Sequence, residues 1–380
     1  MDKSKIPLLV GVAQTVCREK VPLDPLQMMA EVSCDACKDA ACAAAPQIDT
    51  LYIVNCISQT LLTPTQDLSQ LLHIAPTEVG YTGIGATAPQ WFINRAAERI
   101  YHGKSSWVLI CGAEAFYGPQ AAGLTGRVAV ETIDSDKKAD QHLVGDLRTP
   151  LTPIEMSYGL GLPVVIYAFF ENALRAHWGK SPPDHIQEIA EFCARMSEIA
   201  VHNPYAWSRK ARSAAEIATV TPDNRRIVYP YTKLMCSNIA VNQAAALLMT
   251  NLAVAQSSGI PHERIVFLRG CGDAEDNFYF SERPELWSSP SVADAVNAAL
   301  GQASLQLDDI EFLDFYSCFP VAPRIAREEL KIDPRDPRDL TITGGMPYFG
   351  GPGNNYALHT VCTMVQKLRE RPQSLGSCRH

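Results

Sequence analysis

The sequence predicts an α/β protein built from two related halves, and three observations carry that prediction. Apolar runs of strand length alternate with amphipathic runs of helical length. A strand, a glycine-rich loop and a long helix follow one another twice, around residues 80–103 and again around residues 340–369. Between the two lies a stretch of different character, residues 119–226, which begins polar and rich in Gly, Asp and Pro.

Taken in order, residues 8–13 read as a strand, 25–44 as an Ala-rich helix and 51–55 as a second strand. Asp67 opens a shorter helix ending near Pro76. The loop 80–89 leads into a helix reaching Gly103, with Thr87 as its N-cap and Pro89 in its first turn. Residues 107–111 are a buried strand ending at Gly112-Ala-Glu114. Such alternation predicts a mostly parallel sheet covered on both faces. The stretch from 119 to 226 reads as a long insertion over the end of the sheet, with helices at 164–177 and 183–201 and a turn at 203–207.

Pattern resumes at Ile227. Residues 240–249 read as helix running into a buried strand, and 265–271 as strand. A helix at 291–300 has Ser291 as its cap and Asp294 in its first turn. Strand 312–316, helix 321–330 and strand 340–343 follow. The last helix, 356–369, carries Leu358, Val361, Cys362, Val365 and Leu368 at helical spacing. The expected units are a first half of residues 1–118 and 227–258, an inserted loop domain 119–226 and a second half 259–380. The echo between the halves argues for duplication.

Composition bounds the function. With 47% hydrophobic and 19% charged residues the chain can bury sizeable cores. A net charge of -8 speaks against nucleic acid as a partner, though a local positive field could still hold an anion. No apolar run is long enough for a membrane span. The apolar run 6–13 contains Pro7 and Gly11 and reads as strand rather than signal sequence, and the final tripeptide is not the peroxisomal address, so a cytoplasmic protein is expected. The 12 cysteines are scattered through core-like elements, as in a reducing compartment. Cys34, Cys37 and Cys42 have no second Cys or His pair near them and read as small buried residues. No metal and no cofactor is expected.

The stretch from Thr341 to Tyr356 holds Gly344, Gly345, Gly350, Gly351 and Gly353 immediately before the last helix. A glycine loop entering a helix can point backbone N–H groups at an anion or a polarised carbonyl oxygen, and glycine lets a ligand approach closely. It is equally a common strand-to-helix turn of α/β domains.

Together the motifs resemble the thiolase superfamily. Tyr316-Ser-Cys-Phe319 stands where thiolases of the sterol-carrier-protein type have His-Asp-Cys-Phe. The run from Gly344 to Pro352 matches the Gly-Gly…Gly-His-Pro loop, and Asn242-Gln-Ala-Ala-Ala-Leu-Leu248 resembles Asn-Asp-Gly-Ala-Ala-Ala-Leu. With Gly353-Asn-Asn-Tyr356, Asn203-Pro-Tyr-Ala-Trp207 and the run from Tyr229 to Met235, the chain is most similar to the thiolase-like protein type 1 group, often labelled acetyl-CoA acetyltransferase. The resemblance implies a duplicated fold of two βαβαβ-type halves, layered α/β/α/β/α, with the insertion as a loop domain.

Residue by residue, the resemblance implies lost chemistry. Ala86 falls where the family has its nucleophilic cysteine, and a methyl group forms no thioester. The closest cysteines on either side are Cys56 and Cys111. Gly351 replaces the oxyanion-hole histidine of Gly-His-Pro, a kind of loss that costs about 10²–10³ in rate. Tyr316 replaces the histidine of His-Asp-Cys-Phe. The sequence after the last helix is too short for the family's two final strands and their Cys-x-Gly turn, so those strands are expected to be absent, leaving an open sheet edge.

Classical thiolase activity is therefore expected to be absent. Tyr316, with Cys318 beside it, is the catalytic candidate for acid–base chemistry of retro-aldol type on a CoA thioester. Gly350, Gly351, Gly353, Asn354, Asn355 and Ala86 are the candidate substrate-binding residues. The resemblance implies an acyl-CoA as small-molecule partner, a role in lipid metabolism and a homodimer. The alternative is a non-catalytic acyl-CoA-binding or scaffold subunit that pairs with an OB-fold partner protein. Asn354 and Asn355 could cap the last helix or donate to a carbonyl. Glu114 reads as orienting backbone near the first glycine loop, and His359 as a satisfied helical residue.

Overall fold

In the computed structural model of the chain, residues 2–43, 45–118 and 142–380 are described. Strands β1 (Pro7–Val16), β2 (Thr50–Ile53), β3 (Glu78–Thr82), β4 (Trp107–Ala115) and β5 (Leu143–Val144) are followed by a small hairpin, β6 (Arg226–Val228) and β7 (Tyr231–Thr232). Next come β8 (Asn242–Asn251), β9 (Val266–Phe267), β10 (Phe312–Phe315) and β11 (Gly376–Arg379). The principal sheet has seven strands in the order β5-β3-β2-β4-β8-β1-β9.

That sheet is mixed rather than mostly parallel. β5, β3, β2 and β4 run parallel, but β8 lies antiparallel between β4 and β1. All of Asn242–Asn251 is strand, and the helix expected ahead of it does not form. Ala244 to Ala246 favour helix intrinsically. Every residue of β8 is buried between two neighbouring strands, however, and that pairing decides the local conformation.

The two faces of the sheet divide its side chains by alternation. Leu8 and Val10, Leu51 and Ile53, Leu109 and Cys111, and Ala246 and Leu248 point to one face. There they pack on α1 (Pro25–Asp39), α2 (Pro64–Leu72) and, further along the chain, the short helix 252–257. Tyr52 and Val54, Val108 and Ile110, and Leu247 and Met249 point to the other face. They meet Phe92, Ile93, Ala96 and Ile100 of α3 (Ala88–Tyr101) and Leu358, Val361, Cys362 and Val365 of the last helix. Between α3 and that last helix come α4 (Pro153–Ser157), α5 (Pro163–His177), α6 (Pro182–His202), α7 (Ala214–Ala218), α8 (Leu252–Ser257), α9 (Pro290–Ala303), α10 (Val321–Glu329) and α11 (Gly345–Tyr348), so the last is α12 (Tyr356–Glu370).

Beyond α3 and α12 lies a second, two-stranded parallel sheet of β10 and β11, covered outside by α9 and α10. The layers thus run helix, sheet, helix, sheet, helix. Strand β11 follows α12, where the sequence led us to expect no further strand. The segment expected as strand at 265–271 keeps a ladder only at Val266–Phe267, on β1. Residues 340–343 are irregular and are tied to β10 by the Phe315 N–H to Leu340 carbonyl bond and by the Asp314 carboxylate.

The inserted region supplies β5 and α4 to α7, and the β6–β7 hairpin follows at its end; residues 119–141, its beginning, lie outside the described residues. Its core joins the rest of the chain: Ile189, Cys193, Met196 and Ala200 of α6 pack with Phe319, Tyr348 and Phe349. A buried ionic network reinforces the junction. The Glu171 carboxylate of α5 meets His185 of α6 at 2.7 Å, Arg324 of α10 at 2.7 Å and the Tyr231 hydroxyl at 2.8 Å. Arg324 also reaches Glu188 and lies over the Trp178 ring.

Two expected caps differ. Thr87 precedes α3 in helical conformation and makes no side-chain cap bond. Ser289, not Ser291, is the cap residue of α9, because Pro290 takes the first helical position. The Ser291 N–H is instead held by the Asp276 carboxylate at 3.2 Å.

The closest helix–sheet approach is at Gly11 of β1, where an added Cβ would lie 2.1 Å from the Ala36 carbonyl oxygen of α1. Gly11→Ala should therefore lower stability by roughly 1–3 kcal/mol through overpacking. Gly85→Ala, a position with open space around the added carbon, should shift it by less than about 0.5 kcal/mol. Urea midpoints of the two variants against wild type check the difference.

Candidate functional site

The loop between residues 344 and 355 packs against β4, β8 and residues 237–238, and its glycines serve that contact. Gly350 has φ +113, and its missing Cβ makes room for the Gln243 side chain of β8, 2.5 Å from where that carbon would be. At Gly351 the space is taken by Ser237 Oγ, and at Gly353 (φ +49) by Glu114 Oε1, each 2.2 Å from the absent carbon. Two of the backbone donors expected to face a ligand are used within the protein. The Gly351 N–H donates to the Asn238 carbonyl at 2.8 Å and the Gly353 N–H to the Gly351 carbonyl at 2.8 Å.

Asn354 and Asn355 are buried and neither caps α12. Asn354 bridges the two glycine loops: its Oδ1 accepts the Gly85 N–H at 3.0 Å, and its Nδ2 donates to the Asn55 carbonyl at 3.1 Å. Asn355 donates to the Gly112 carbonyl at 2.7 Å, while its Oδ1 finds no partner. Ala86 lies partly exposed in the first of these loops, next to Gly85 and just ahead of α3. The structure thus brings the loop of Ala86 and the loop of Gly353 together through one amide side chain.

Against Gly353 and the loop after β2 sits Glu114, at the end of β4 and fully buried. It accepts the Ile57 N–H at 2.8 Å and the Ser58 N–H at 2.7 Å, so the backbone it orients is that of the loop after β2 and not the first glycine loop. Burial pushes its carboxyl up to about 7 against the pull of those donors. Cys56 lies beside it at 3.6 Å, and burial with the adjacent carboxylate pushes that thiol up. Burial pushes Cys111 up to about 12. Neither can stand in as a thiolate nucleophile near Ala86.

Tyr316 and Cys318 occupy the turn after β10. The Tyr316 N–H donates to the Arg379 carbonyl at 3.0 Å, and its ring lies edge-on to His380, 6.2 Å between centroids. Tyr316 is half-buried as a residue, and its phenol lies in buried surroundings within hydrogen-bonding reach of the Cys318 thiol. Burial, with Cys318 alongside, holds the phenol well above its ordinary value, so it is a proton donor and not a phenolate. Burial likewise pushes Cys318 up to about 12. The Cys318 carbonyl accepts the Ser237 N–H at 3.0 Å, and Ser237 is the residue packed on Gly351. One segment, residues 236–240, therefore links the Tyr316 turn to the glycine loop.

Sequence reasoning missed Tyr167 and the polar centre under the loop. Tyr167, on α5 of the inserted region, shares the Cys318 thiol with Tyr316; nothing in its spacing signals that meeting. Asp314, buried on β10, accepts from Thr341 Oγ1 at 2.9 Å and the Ile342 N–H at 2.8 Å, and burial pushes it up to about 7. Thr343 bonds to the Tyr356 hydroxyl at 2.7 Å. His359 is buried, as a satisfied residue would be on one side only: Nδ1 meets Gln14 Oε1 at 2.9 Å and Nε2 has no partner. Among the described residues no group of acidic, His and Cys side chains could hold a metal ion, and no helix is long and apolar enough to cross a membrane.

No protein-family model matches the chain, and no curated protein matches it. Solved structures do. It is similar to the crystal structure of a monomeric SCP2-thiolase-like protein type 1 from Mycobacterium smegmatis, with 30% identity and a TM-score of 0.83 over 100% of this chain and 75% of that one. It also shares its fold with the Ltp2-ChsH2(DUF35) aldolase, with 16% identity and a TM-score of 0.72 over 98% of this chain and 92% of that one.

The two buried carboxyls give a pH signature. Both have folded values of about 7, above the unfolded values near ~4. The native state therefore holds more protons between those limits. The stabilisation is complete below pH ~4 and is lost as pH rises through about 7. Denaturation midpoints between pH 5 and 8 should fall with pH, by on the order of 3 kcal/mol per carboxylate over the full range. Asp314→Asn, close in shape, should remove its share of the slope; an unchanged slope would rule Asp314 out as a source.

Proposed function

This chain belongs to the family of SCP2-thiolase-like proteins of type 1, and on that premise we propose that it binds an acyl-CoA and performs acid–base chemistry on the thioester without an acyl-enzyme. The observation that carries this reading is Tyr316: a neutral phenol on a half-buried residue in the turn after β10, where the family's motif places a histidine. Doubly wound sheets present ligands at the ends of their strands. A fold neighbour named as an aldolase supports the same chemistry.

In a retro-aldol step on a β-hydroxyacyl thioester, the Cα–Cβ bond breaks and its electrons pass to the thioester enolate. In the same step the Tyr316 phenol delivers its proton to Cα while the β-hydroxyl proton passes to the phenolic oxygen and the β-oxygen becomes a carbonyl, so the enzyme ends unchanged. Ala86, at the partly exposed loop ahead of α3, supplies space for the acyl chain and no nucleophile.

A second reading is favoured by a separate observation. The N–H groups of Gly351 and Gly353 are spent on backbone carbonyls, which leaves the thioester oxygen without those donors. In that reading the chain is a non-catalytic acyl-CoA-binding or scaffold subunit of lipid metabolism, paired with an OB-fold protein. The second name in the ChsH2(DUF35) structure is in keeping with a partner of some kind. The monomeric state of the M. smegmatis protein favours a single-chain unit over a homodimer, and the absence of a membrane-crossing helix among the described residues is in keeping with a cytoplasmic setting.

Calorimetric titration with acetoacetyl-CoA and longer acyl-CoAs separates the readings. Binding with turnover supports the first, and Tyr316→Phe should then lower kcat at least about 100-fold while leaving affinity within a few-fold. An unchanged kcat would remove Tyr316 from the mechanism. Binding without turnover leaves the scaffold reading, and no binding by any CoA thioester would sink both. Ala86→Cys should produce no measurable acetoacetyl-CoA thiolysis, because Gly351 still offers no histidine donor.

A further inference from the structure

Acid–base chemistry on a thioester needs a hydrogen-bond donor that the glycine loop does not provide. A thioester that takes up the electrons of a breaking Cα–Cβ bond gathers negative charge on its oxygen, and donors aimed at that oxygen speed the step. The Gly351 and Gly353 N–H groups are held by backbone carbonyls. Tyr316 is engaged at Cα and at the β-hydroxyl.

Tyr167 of α5 brings a further donor from the inserted region. The fully buried phenols of the same core bond to oxygen. Tyr231 reaches the Glu171 carboxylate at 2.8 Å, Tyr348 the Leu234 carbonyl at 2.9 Å and Tyr356 Thr343 Oγ1 at 2.7 Å. The hydroxyls of Tyr167 and Tyr316 turn instead to the Cys318 sulfur. A thiol sulfur is a weak acceptor. An oxygen gaining enolate charge is a much stronger one, so it draws a hydroxyl away from sulfur at little cost. The uncharged thioester carbonyl gains less from the same donor, and that difference is what accelerates a reaction. Burial holds the Tyr167 phenol well above its ordinary value, so the proton is there to donate.

The Tyr167 ring is held in place. Its centroid lies 4.9 Å from that of Phe319, the neighbour of Cys318, and 5.5 Å from that of Phe170. Glu171, one helical turn further along α5, ties that helix to His185 of α6 and Arg324 of α10. What remains free is rotation of the hydroxyl about its C–O bond. Because the two phenols meet at one sulfur, their oxygens can address one small acyl group, Tyr316 at Cα and Tyr167 at the thioester oxygen two bonds away.

We propose that Tyr167 is a further catalytic residue, whose hydroxyl leaves the Cys318 sulfur and donates to the thioester oxygen as that oxygen takes up enolate charge. The assignment rests on the acid–base reading of Tyr316 and adds the donor which that reading lacks. No covalent bond to Tyr167 forms or breaks, and its hydroxyl returns to sulfur when the product leaves.

The test uses the full chain with 3-hydroxybutyryl-CoA as substrate probe, release of acetyl-CoA and acetaldehyde being followed. Carboxymethyl-CoA, whose carboxylate mimics the charged enolate, is the binding probe against acetyl-CoA. Wild type should bind carboxymethyl-CoA at least tenfold more tightly than acetyl-CoA. Tyr167→Phe, which keeps the ring on Phe319, should lose most of that preference while its acetyl-CoA affinity stays within threefold. Its kcat should fall about 100-fold or more with KM within a few-fold. An unchanged kcat in Tyr167→Phe beside a loss in Tyr316→Phe overturns the assignment and leaves the Tyr316 reading standing. Equal loss of affinity for both CoA probes marks Tyr167 as a packing residue and overturns the assignment as well. Parity of the two probes in wild type overturns it without recourse to any variant. A wild type that turns over no 3-hydroxybutyryl-CoA removes the acid–base reading and the assignment with it.

Discussion

The structure depends on one constraint: α12 is a helix with no solvent side over most of its length. Every residue from Tyr356 to Val365 is buried, with β1 and β8 on one side, α3 beside it and β11 on the other. A helix buried all round must be apolar or must pair each polar group it carries. This one carries His359, Thr360 and Thr363, and they are matched by Gln14, the Ala357 carbonyl and Gln14 again, His359 through Nδ1 alone. The two sheets are thus joined through a helix that neither could cover alone. The loop that delivers α12 into that position has little freedom, which is why its glycines sit against Gln243, Ser237 and Glu114.

Much of this was legible in the sequence, for reasons that can be named. The α12 stripe and the alternating faces of β1, β2 and β4 follow from periodicity, and periodicity survives burial. The family motifs led to the right fold, which the M. smegmatis structure shares. Residues 240–249 misled, because an Ala-rich run has the intrinsic preferences of a helix and only its two strand neighbours make it a strand. Residues 265–271 misled in the opposite way. They are apolar enough for a strand but have a ladder partner only as far as Phe267.

The candidate site was legible at the level of loops and not of atoms. The two glycine loops read from the sequence do meet, and Asn354 is the bond between them. Glycine content alone could not say whether the room it creates is for a ligand or for a neighbouring side chain. At Gly350, Gly351 and Gly353 it is for a side chain. Nor could spacing reveal Tyr167, which reaches Cys318 from the inserted region, since the two are distant in sequence and their meeting depends on how α5 docks.

The ionic network of Glu171, His185, Arg324 and Tyr231 has a consequence for how such proteins can be recombined. It lies across the boundary between the inserted helices and α10, with Arg324 and Glu171 both almost fully buried. An ion pair of this kind tolerates replacement of the whole set better than loss of one member, which strands a charge in the interior at a cost of roughly 3–5 kcal/mol. An inserted region taken from a relative that lacks the matching carboxylate would leave Arg324 facing apolar surroundings. The boundary for a chimaera therefore does not fall at residue 226, where the inserted sequence gives way to the sheet. The unit that can be exchanged as one piece is the inserted helices together with α10.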